Sequence, residues 1–327
     1  MAEGESAAVV EAGIDSLGWS NTRLWVERSL RPEDRIRAVA TLRGGWSSQM
    51  RRLDVEGDGE SYSLVLRSFV KPFYVKHALG LLTREADILQ LLANTNVPAA
   101  RLHGVDAAAQ HCDHPSLLMS LLPGSVRLDE EDVERKTELL ARQLVEIHGL
   151  RVPDGARPRT YEAWTSSERV RLPEHSEHPD VWQRAVEVIR RRPPAYPPCF
   201  LHRDFHPGNV LFAGEGDGLA ITGVVDWVET SWGPADLDVA HCSTALALLH
   251  GVRVGMRLAD QYIAAGGMLS DAPADHLYWR ALDALAFAPD AEKVAVPWRE
   301  LGRTDLTPAV LAERLEEYLQ AVLSQYG

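Results

Sequence analysis

The segment that most constrains this chain runs from Cys199 to Trp227, CFLHRDFHPGNVLFAGEGDGLAITGVVDW, a β-rich island set in a second half that otherwise reads as helix. The apolar CFL predicts a strand that delivers Asp204 into a loop, and Asn209 follows five positions later, where the next strand, VLF, begins. The turn Gly214-Glu215-Gly216-Asp217-Gly218 folds VLF back on LAITGVVD, and counting outward from it sets Asp226 roughly opposite residue 205. Local pairing alone therefore predicts that Asp204, Asn209 and Asp226 converge.

Two carboxylates and an amide with no lysine nearby form an oxygen-rich site whose negative charge calls for a cation. Hard oxygen donors suit Mg2+, which takes few protein carboxylates and completes its shell with water and phosphate oxygens. If Asn209 and Asp226 hold the metal, Asp204 is left to accept a proton from an attacking hydroxyl, a division of labour known from phosphoryl transfer. His202 and His206 flank Asp204 at i, i+4 and offer a competing reading as ligands of a transition-metal hydrolase. That reading needs a helix to bring both rings to one face, and Pro207 and Gly208 oppose a helix there.

The rest of the chain frames the island. A length of 327 residues predicts two lobes rather than one small core. The first forty residues read as helical. RRLDVEGDGESYSLVLRSF then reads as a hairpin around Gly57-Asp58-Gly59, and LGLLTREADILQLLANTNVP as an amphipathic helix ending before Pro98. A strand pair is expected at ARLHGVD and PSLLMSLLPG. Asp129 is the expected cap of a helix through EEDVERKTELLARQLVEIHGL, and further helices are expected near 179–191, 235–251, 253–266, 276–287 and 308–326. Lys+Arg 34 against Asp+Glu 47 gives a net charge of −13, which opposes nucleic acid or an anionic membrane as partner and favours, if anything, a cationic small molecule. Three widely spaced cysteines without a C-x-x-C pair point to a reducing compartment, and the acidic N-terminus lacks the features of an export signal, so a cytoplasmic protein is expected.

The stretch HRDFHPGN with the later Asp226-Trp227 resembles the aminoglycoside phosphotransferase family, a kinase-like group that includes choline and fructosamine kinases. WGPADLDVAH resembles the segment in which Asp238 buttresses the catalytic loop, and LLMSLLPG at 117–124 resembles the interlobe hinge. The resemblance implies an α+β, two-lobed protein-kinase-like fold, with a β-rich N-terminal nucleotide-binding lobe over 1–122 and a mostly helical lobe over 123–327. It also implies ATP, or GTP, bound with Mg2+ and the base against Met119 and Leu121, and supporting roles for His202 and His206 in the loop.

By the same resemblance, a phosphate-binding cation on the third strand falls to Arg67, with Lys71 in reserve. The helix gives an independent check: Leu81, Leu82, Ile88, Leu89 and Leu92 form an apolar stripe, and Glu85 falls inside it. A carboxylate facing a core needs a partner, and Arg67 is the economical one. Gly44, Gly45, Ser47 and Ser48 resemble a phosphate-cradling loop, although they do not match G-x-G-x-x-G. None of the four lysines follows a glycine, which excludes a Walker A loop. The implied activity is phosphoryl transfer from ATP to a hydroxyl of a small molecule, such as an aminoglycoside-like antibiotic, amino alcohol or sugar. Glu229, Asp283 and Asp290 are candidates to hold an amino group of the acceptor, with Trp232, Tyr278 and Trp279 as walls. A catalytically idle nucleotide-binding or regulatory protein is the alternative of a different class, and the intact Asp204, Asn209 and Asp226 speak against it.

Overall fold

The computed structural model describes residues 19–42, 48–57 and 59–327, so Gly44, Gly45 and Ser47 lie outside the described residues. The chain divides into two compact units. One contains the chain up to Ser125 together with Thr222–Val228, and the other contains Val126–Ile221 and Glu229–Gly327.

The first unit comprises α1 (Ser20–Ser29), β1 (Arg35–Leu42), β2 (Gln49–Glu56), β3 (Ser61–Ser68), α2 (Pro72–Leu92), β4 (Leu102–Asp106) and β5 (Ser116–Ser120). Its five strands form one antiparallel sheet in the order β1-β2-β3-β5-β4. Residues 35–42, expected within a helical stretch, are instead a strand paired with β2 from Arg35↔Glu56 to Leu42↔Met50. Strand alternation sorts the sheet into two faces. Leu53, Leu64, Leu66 and Leu118 pack with Trp19 and Val26 on one side. In the β3–β5 register, Arg67 lies opposite Leu117 and Val65 opposite Met119, so Arg67 and Met119 share the other face. Segment 222–228 is fastened to this unit by Val224 N donating to Pro98 O at 2.8 Å, Arg84 Nη1 to Val228 O at 2.9 Å and Thr222 Oγ1 to Pro123 O at 2.7 Å.

The second unit holds α3 (Val133–His148), α4 (Pro179–Ile189), β6 (Pro198–Leu201), β7 (Val210–Ala213), the start of β8 (Ala220–Val224) and β9 (Ser231–Pro234). It continues with α5 (Ala235–His250), α6 (Val252–Ala264), α7 (Pro273–Ala286), α8 (Glu292–Glu300) and α9 (Pro308–Tyr326). Asp129 is not the cap of α3: that place is taken by Asp132 at φ +47°, and the Asp129 carboxylate accepts from Lys136 Nζ at 2.9 Å and Glu131 N at 3.0 Å. The core is built on α5, whose residues from Leu237 to Leu249 are all buried, packed against α7 and α9 through Trp279, Leu285, Leu315 and Tyr318. β6 pairs antiparallel with β9, with Leu201 opposite Ser231, and β9 leads straight into α5. The loop after β6 and the first turn of α5 therefore issue from one two-stranded ribbon. All three cysteines are free, and no described helix is long and apolar enough to cross a membrane.

Two glycines test the packing in opposite directions. A Cβ on Gly255 of α6 would lie 2.4 Å from Ser243 O and 2.7 Å from the Cβ of Ala247 on α5, whereas one on Gly80 of α2 meets nothing within 4 Å. Gly255→Ala should therefore destabilise the protein by about 2 kcal/mol through forced separation of α5 and α6. Gly80→Ala should stabilise it by about 0.5–1 kcal/mol through helix propensity. Urea denaturation of both variants checks the pair of signs.

Candidate active site

In the first unit, a buried ion cluster gathers on the Arg67 face of the sheet. Arg67 Nη1 donates to Glu85 Oε1 and Oε2 at 2.9 and 3.0 Å and to Asp226 Oδ1 at 3.1 Å. Glu85 is only 1% exposed, so the apolar stripe of α2 does carry a buried carboxylate, and β3 supplies its cation. Burial pushes Glu85 up to about 6 against the pull of Arg67. The Arg67 guanidinium is also deeply buried, but Asp226 and Glu85 more than offset that and keep it firmly protonated. Asp226 stands at φ +65°, and its side chain remains 38% exposed, with Oδ1 turned to Arg67. Sequence reasoning paired Arg67 with Glu85 and did not foresee the link to Asp226.

Lys71 immediately precedes α2 and is exposed. Met119 on β5 and Leu121 just beyond it are half-buried, with Leu121 N donating to Ser63 O at 3.0 Å. Ser48 is buried at the start of β2, with its hydroxyl 3.5 Å from Met50 Sδ.

In the second unit the loop 202–209 is held from behind by Asp238. This fully buried carboxylate in the first turn of α5 accepts from His202 N at 2.8 Å and Arg203 N at 2.9 Å, and it lies 3.3 Å from His148 Nε2. Burial raises the cost of its charge, but the His148 hydrogen bond and the nearby cations win, and its carboxyl is shifted downward. The two accepted amides pin a residue that would otherwise resist its conformation, since Arg203 has φ +76°. Its guanidinium lies 4.1 Å over the Trp164 ring and donates to Glu162 O at 3.2 Å.

Asp204 then sits among donors. Its backbone N–H donates to His202 Nδ1 at 3.2 Å, and Asn209 Nδ2 donates to its carbonyl at 2.9 Å and its Oδ2 at 3.0 Å. His241 Nε2 lies 3.2 Å from Oδ1, close but off the ideal hydrogen-bond direction, and His206 Nε2 lies 3.9 Å away. Burial disfavours the carboxylate, yet His241, His206 and His202 outweigh it and hold Asp204 well below the usual range. With its amide nitrogen committed to Asp204, Asn209 has Oδ1 left as the atom for a hard cation.

Asp204, His206 and His241 offer donor atoms within 4.8 Å of one another, a cluster of metal-binding type. The hydrogen bonds argue against that use. His206 Nδ1 accepts the Gly208 N–H at 3.0 Å, so the ring proton sits on Nε2, the nitrogen nearest Asp204. Gly208 is required there, since a Cβ would come within 2.6 Å of the His206 ring.

Each acceptor candidate has contacts of its own in the structure. Asp283 is buried against His241, Glu229 pairs with Arg159 at 2.7 Å, and Asp290 accepts from Glu292 N at 3.1 Å. Tyr278 and Trp279 belong to the core, and Trp232 lies under the Arg157 guanidinium at 4.8 Å. His241 is the residue that sequence reasoning failed to place at the site, and Asp283, which it named for the acceptor, faces His241. A signal for His241 existed: it is an ionisable residue on a mostly apolar helix and stands at i+3 from Asp238.

A model of the phosphotransferase enzyme family matches residues 38–285. No curated protein matches the sequence. Among solved structures, a Ralstonia eutropha JMP134 protein provisionally described as an aminoglycoside phosphotransferase aligns with TM-score 0.60 at 16% identity, covering 92% of this chain and 98% of that one. Macrolide 2'-phosphotransferase type I aligns with TM-score 0.54 at 18% identity over 94% and 96% of the two chains. Spectinomycin phosphotransferase APH(9)-Ia, crystallised with ADP and spectinomycin, aligns with TM-score 0.55 at 12% identity over 94% and 99%. The fold shared with these structures is the kinase-like one.

Two stability measurements probe this geometry. In Asp238→Asn one of the two loop amides loses its acceptor, which should cost about 1–3 kcal/mol in urea denaturation. His241 is raised from 6.5 to about 9: burial opposes its charge, but Asp283 and Asp204 prevail. Its contribution is therefore complete below pH 6.5 and is lost as pH rises through 9, a change of order 3 kcal/mol. Wild-type stability should fall from pH 7 to pH 10 more steeply than that of His241→Gln, and equal slopes would contradict the assignment.

Proposed function

The chain belongs to the phosphotransferase enzyme family, which its match over residues 38–285 establishes, and on that premise we propose that it transfers the γ-phosphoryl group of ATP or GTP to a hydroxyl of a small molecule. The observation that carries the proposal is Asp204, a part-exposed carboxylate, 32% accessible, whose Oδ2 accepts from Asn209 Nδ2 and whose Oδ1 has His241 Nε2 at 3.2 Å and His206 Nε2 at 3.9 Å. In the reaction the acceptor oxygen bonds to the γ-phosphorus, the bond from that phosphorus to the bridging oxygen breaks, the nucleoside diphosphate leaves and the hydroxyl proton is released.

The residues fit a magnesium nucleotide. Asn209 Oδ1 and the exposed carboxylate of Asp226 are hard oxygen donors suited to Mg2+, and Arg67, braced by Glu85, is the cation for phosphate oxygens. Mg2+ would neutralise charge that develops on the phosphates. Met119, on the same sheet face as Arg67, and Leu121 are proposed to meet the nucleotide base, and Ser48 to adjoin its phosphates. His202, His206 and Asp238 support the loop. A carboxylate as acidic as Asp204 stores a proton poorly, so it accepts a hydrogen bond from the acceptor hydroxyl and aims its oxygen, and the proton leaves late.

For the acceptor, the related structures include one with kanamycin and one with spectinomycin. Together with this chain's net charge of −13, they support a hydroxylated, amine-bearing molecule. The nucleotide is left as either purine, since the same set includes an ADP complex and a GDP complex.

Nucleotide consumption over a panel of aminoglycosides, macrolides, amino alcohols and sugars, with and without Mg2+, tests the reading. The expected result is Mg2+-dependent transfer to at least one acceptor, reduced on the order of a hundredfold or more in kcat by Asp204→Asn. Near wild-type turnover in that variant would remove Asp204 from its role. Magnesium-dependent nucleotide binding with no transfer to any acceptor would favour an idle module.

A further inference from the structure

Behind Asp204 the second unit contains a chain of charges that the loop motif does not account for. His241 on α5 is 3% exposed, and both its ring nitrogens face carboxylates: Nδ1 lies 3.1 Å from Asp283 Oδ1 on α7, and Nε2 lies 3.2 Å from Asp204 Oδ1. Asp283 is also 3% exposed. The imidazole plane is fixed from both sides, stacked on Phe287 at 5.6 Å and 19° and met edge-on by Trp164 at 5.0 Å and 85°. A buried imidazole between two carboxylates is held as the imidazolium, because neutralising it would leave the buried Asp283 without a cation and the two anions opposed to each other.

We propose that His241 and Asp283 are positioning residues for phosphoryl transfer: Asp283 anchors the His241 imidazolium, which fixes the Asp204 carboxylate through Oδ1 while Asn209 fixes it through Oδ2. The inference rests on Asp204 being the residue that receives the acceptor hydroxyl. A carboxylate gripped at one oxygen can still swing about its Cβ–Cγ bond, whereas one gripped at both presents its remaining lone pairs in a single direction. A misplacement of the aimed oxygen by 1 Å is enough to cost about a hundredfold in rate. The arrangement also explains why a core helix as apolar as α5 carries a histidine and why α7 buries an aspartate: each is the partner that makes the other tolerable.

The other charged groups around the ring are consistent with this. His206, from the loop, meets His241 at a ring distance of 5.8 Å and turns its own Nε2 toward Asp204. Lys293 Nζ of α8 lies 5.2 Å from the centre of the Phe287 ring and is also under the influence of Asp283, and the Arg203 guanidinium lies 4.1 Å over the ring of Trp164. The carboxylates of Asp283 and Asp204 lie nearest the imidazole nitrogens, at 3.1 and 3.2 Å.

The test uses the full-length protein and two readouts. In carbon–proton NMR of the histidine rings, the His241 signal should titrate near pH 9 and shift down by about one unit or more in Asp283→Asn and in Asp204→Asn. A titration near 6.5, or one unmoved by Asp204→Asn, overturns the charge chain. In steady-state transfer, His241→Gln and Asp283→Asn should lower kcat by roughly tenfold or more while KM for the nucleotide changes by less than about twofold. Unchanged kcat in folded His241→Gln overturns the positioning role. Absence of transfer to every acceptor in the wild type would defeat the Asp204 reading, and with it the positioning role, while the NMR titration would still decide whether the three groups form one ion chain.

Discussion

The structure around the loop 202–209 depends on one buried carboxylate meeting two backbone amides. Asp238 accepts from His202 N and Arg203 N, and Arg203 has the left-handed conformation that an L-residue with a long side chain avoids. Neither feature stands well alone. The unpaired amides would be costly inside the protein, and a buried carboxylate without donors more so. Joined, they turn the chain sharply after β6 and direct Asp204 outward from the ribbon. The position of Asp238 in the first turn of α5 adds the positive end of a helix of 16 residues to its stabilisation. His148 behind it, hydrogen-bonded in turn to the Tyr262 hydroxyl at 2.7 Å, completes a chain from the core to the loop.

Much of this was legible in the sequence because it is local. The H-x-D-x-x-x-x-N spacing and its flanking apolar triplets specify a loop between two short strands, and the turn at 214–218 specifies the return of the chain. Glu85 was legible for a different reason: a carboxylate inside an apolar stripe states that a cation is nearby, and β3 has Arg67 at its buried end. The features that escaped depend on distant parts of the chain. Residues 35–42 are half-buried or exposed without regular alternation, broken by an irregularity between Ile36 and Ala38, so their periodicity is weak, and only their pairing with β2 makes them a strand. Helix α8 contains Pro297, which locally argues for a break. Burial of Ala295 and Trp298 holds the helix together despite the lost hydrogen bond. The expectation that Asp129 caps α3 failed because the helix begins only at Val133, and Asp129 is instead paired with Lys136.

The ionisable residues of the second unit show the same limit in sharper form. Asp283 and His241 are separated by 42 positions, and nothing in either neighbourhood names the other. Asp283, Glu229 and Asp290 were candidates to hold an amine of the acceptor. The fold supplies His241 to Asp283 and Arg159 to Glu229, while Asp290 accepts from Glu292 N two residues on. An acidic sequence therefore says little about which of its carboxylates remain to meet a ligand, since the fold uses many of them internally.

Arg67 has a wider consequence than holding one glutamate. Its Nη1 reaches Glu85 on α2 and Asp226 on the segment that returns to the first unit, so a single nitrogen ties a helix, a strand and a distant piece of chain into one electrical node. The charge that Asp226 meets on this face is therefore shared with a carboxylate carried by α2, which makes that helix part of the electrostatic setting of residue 226.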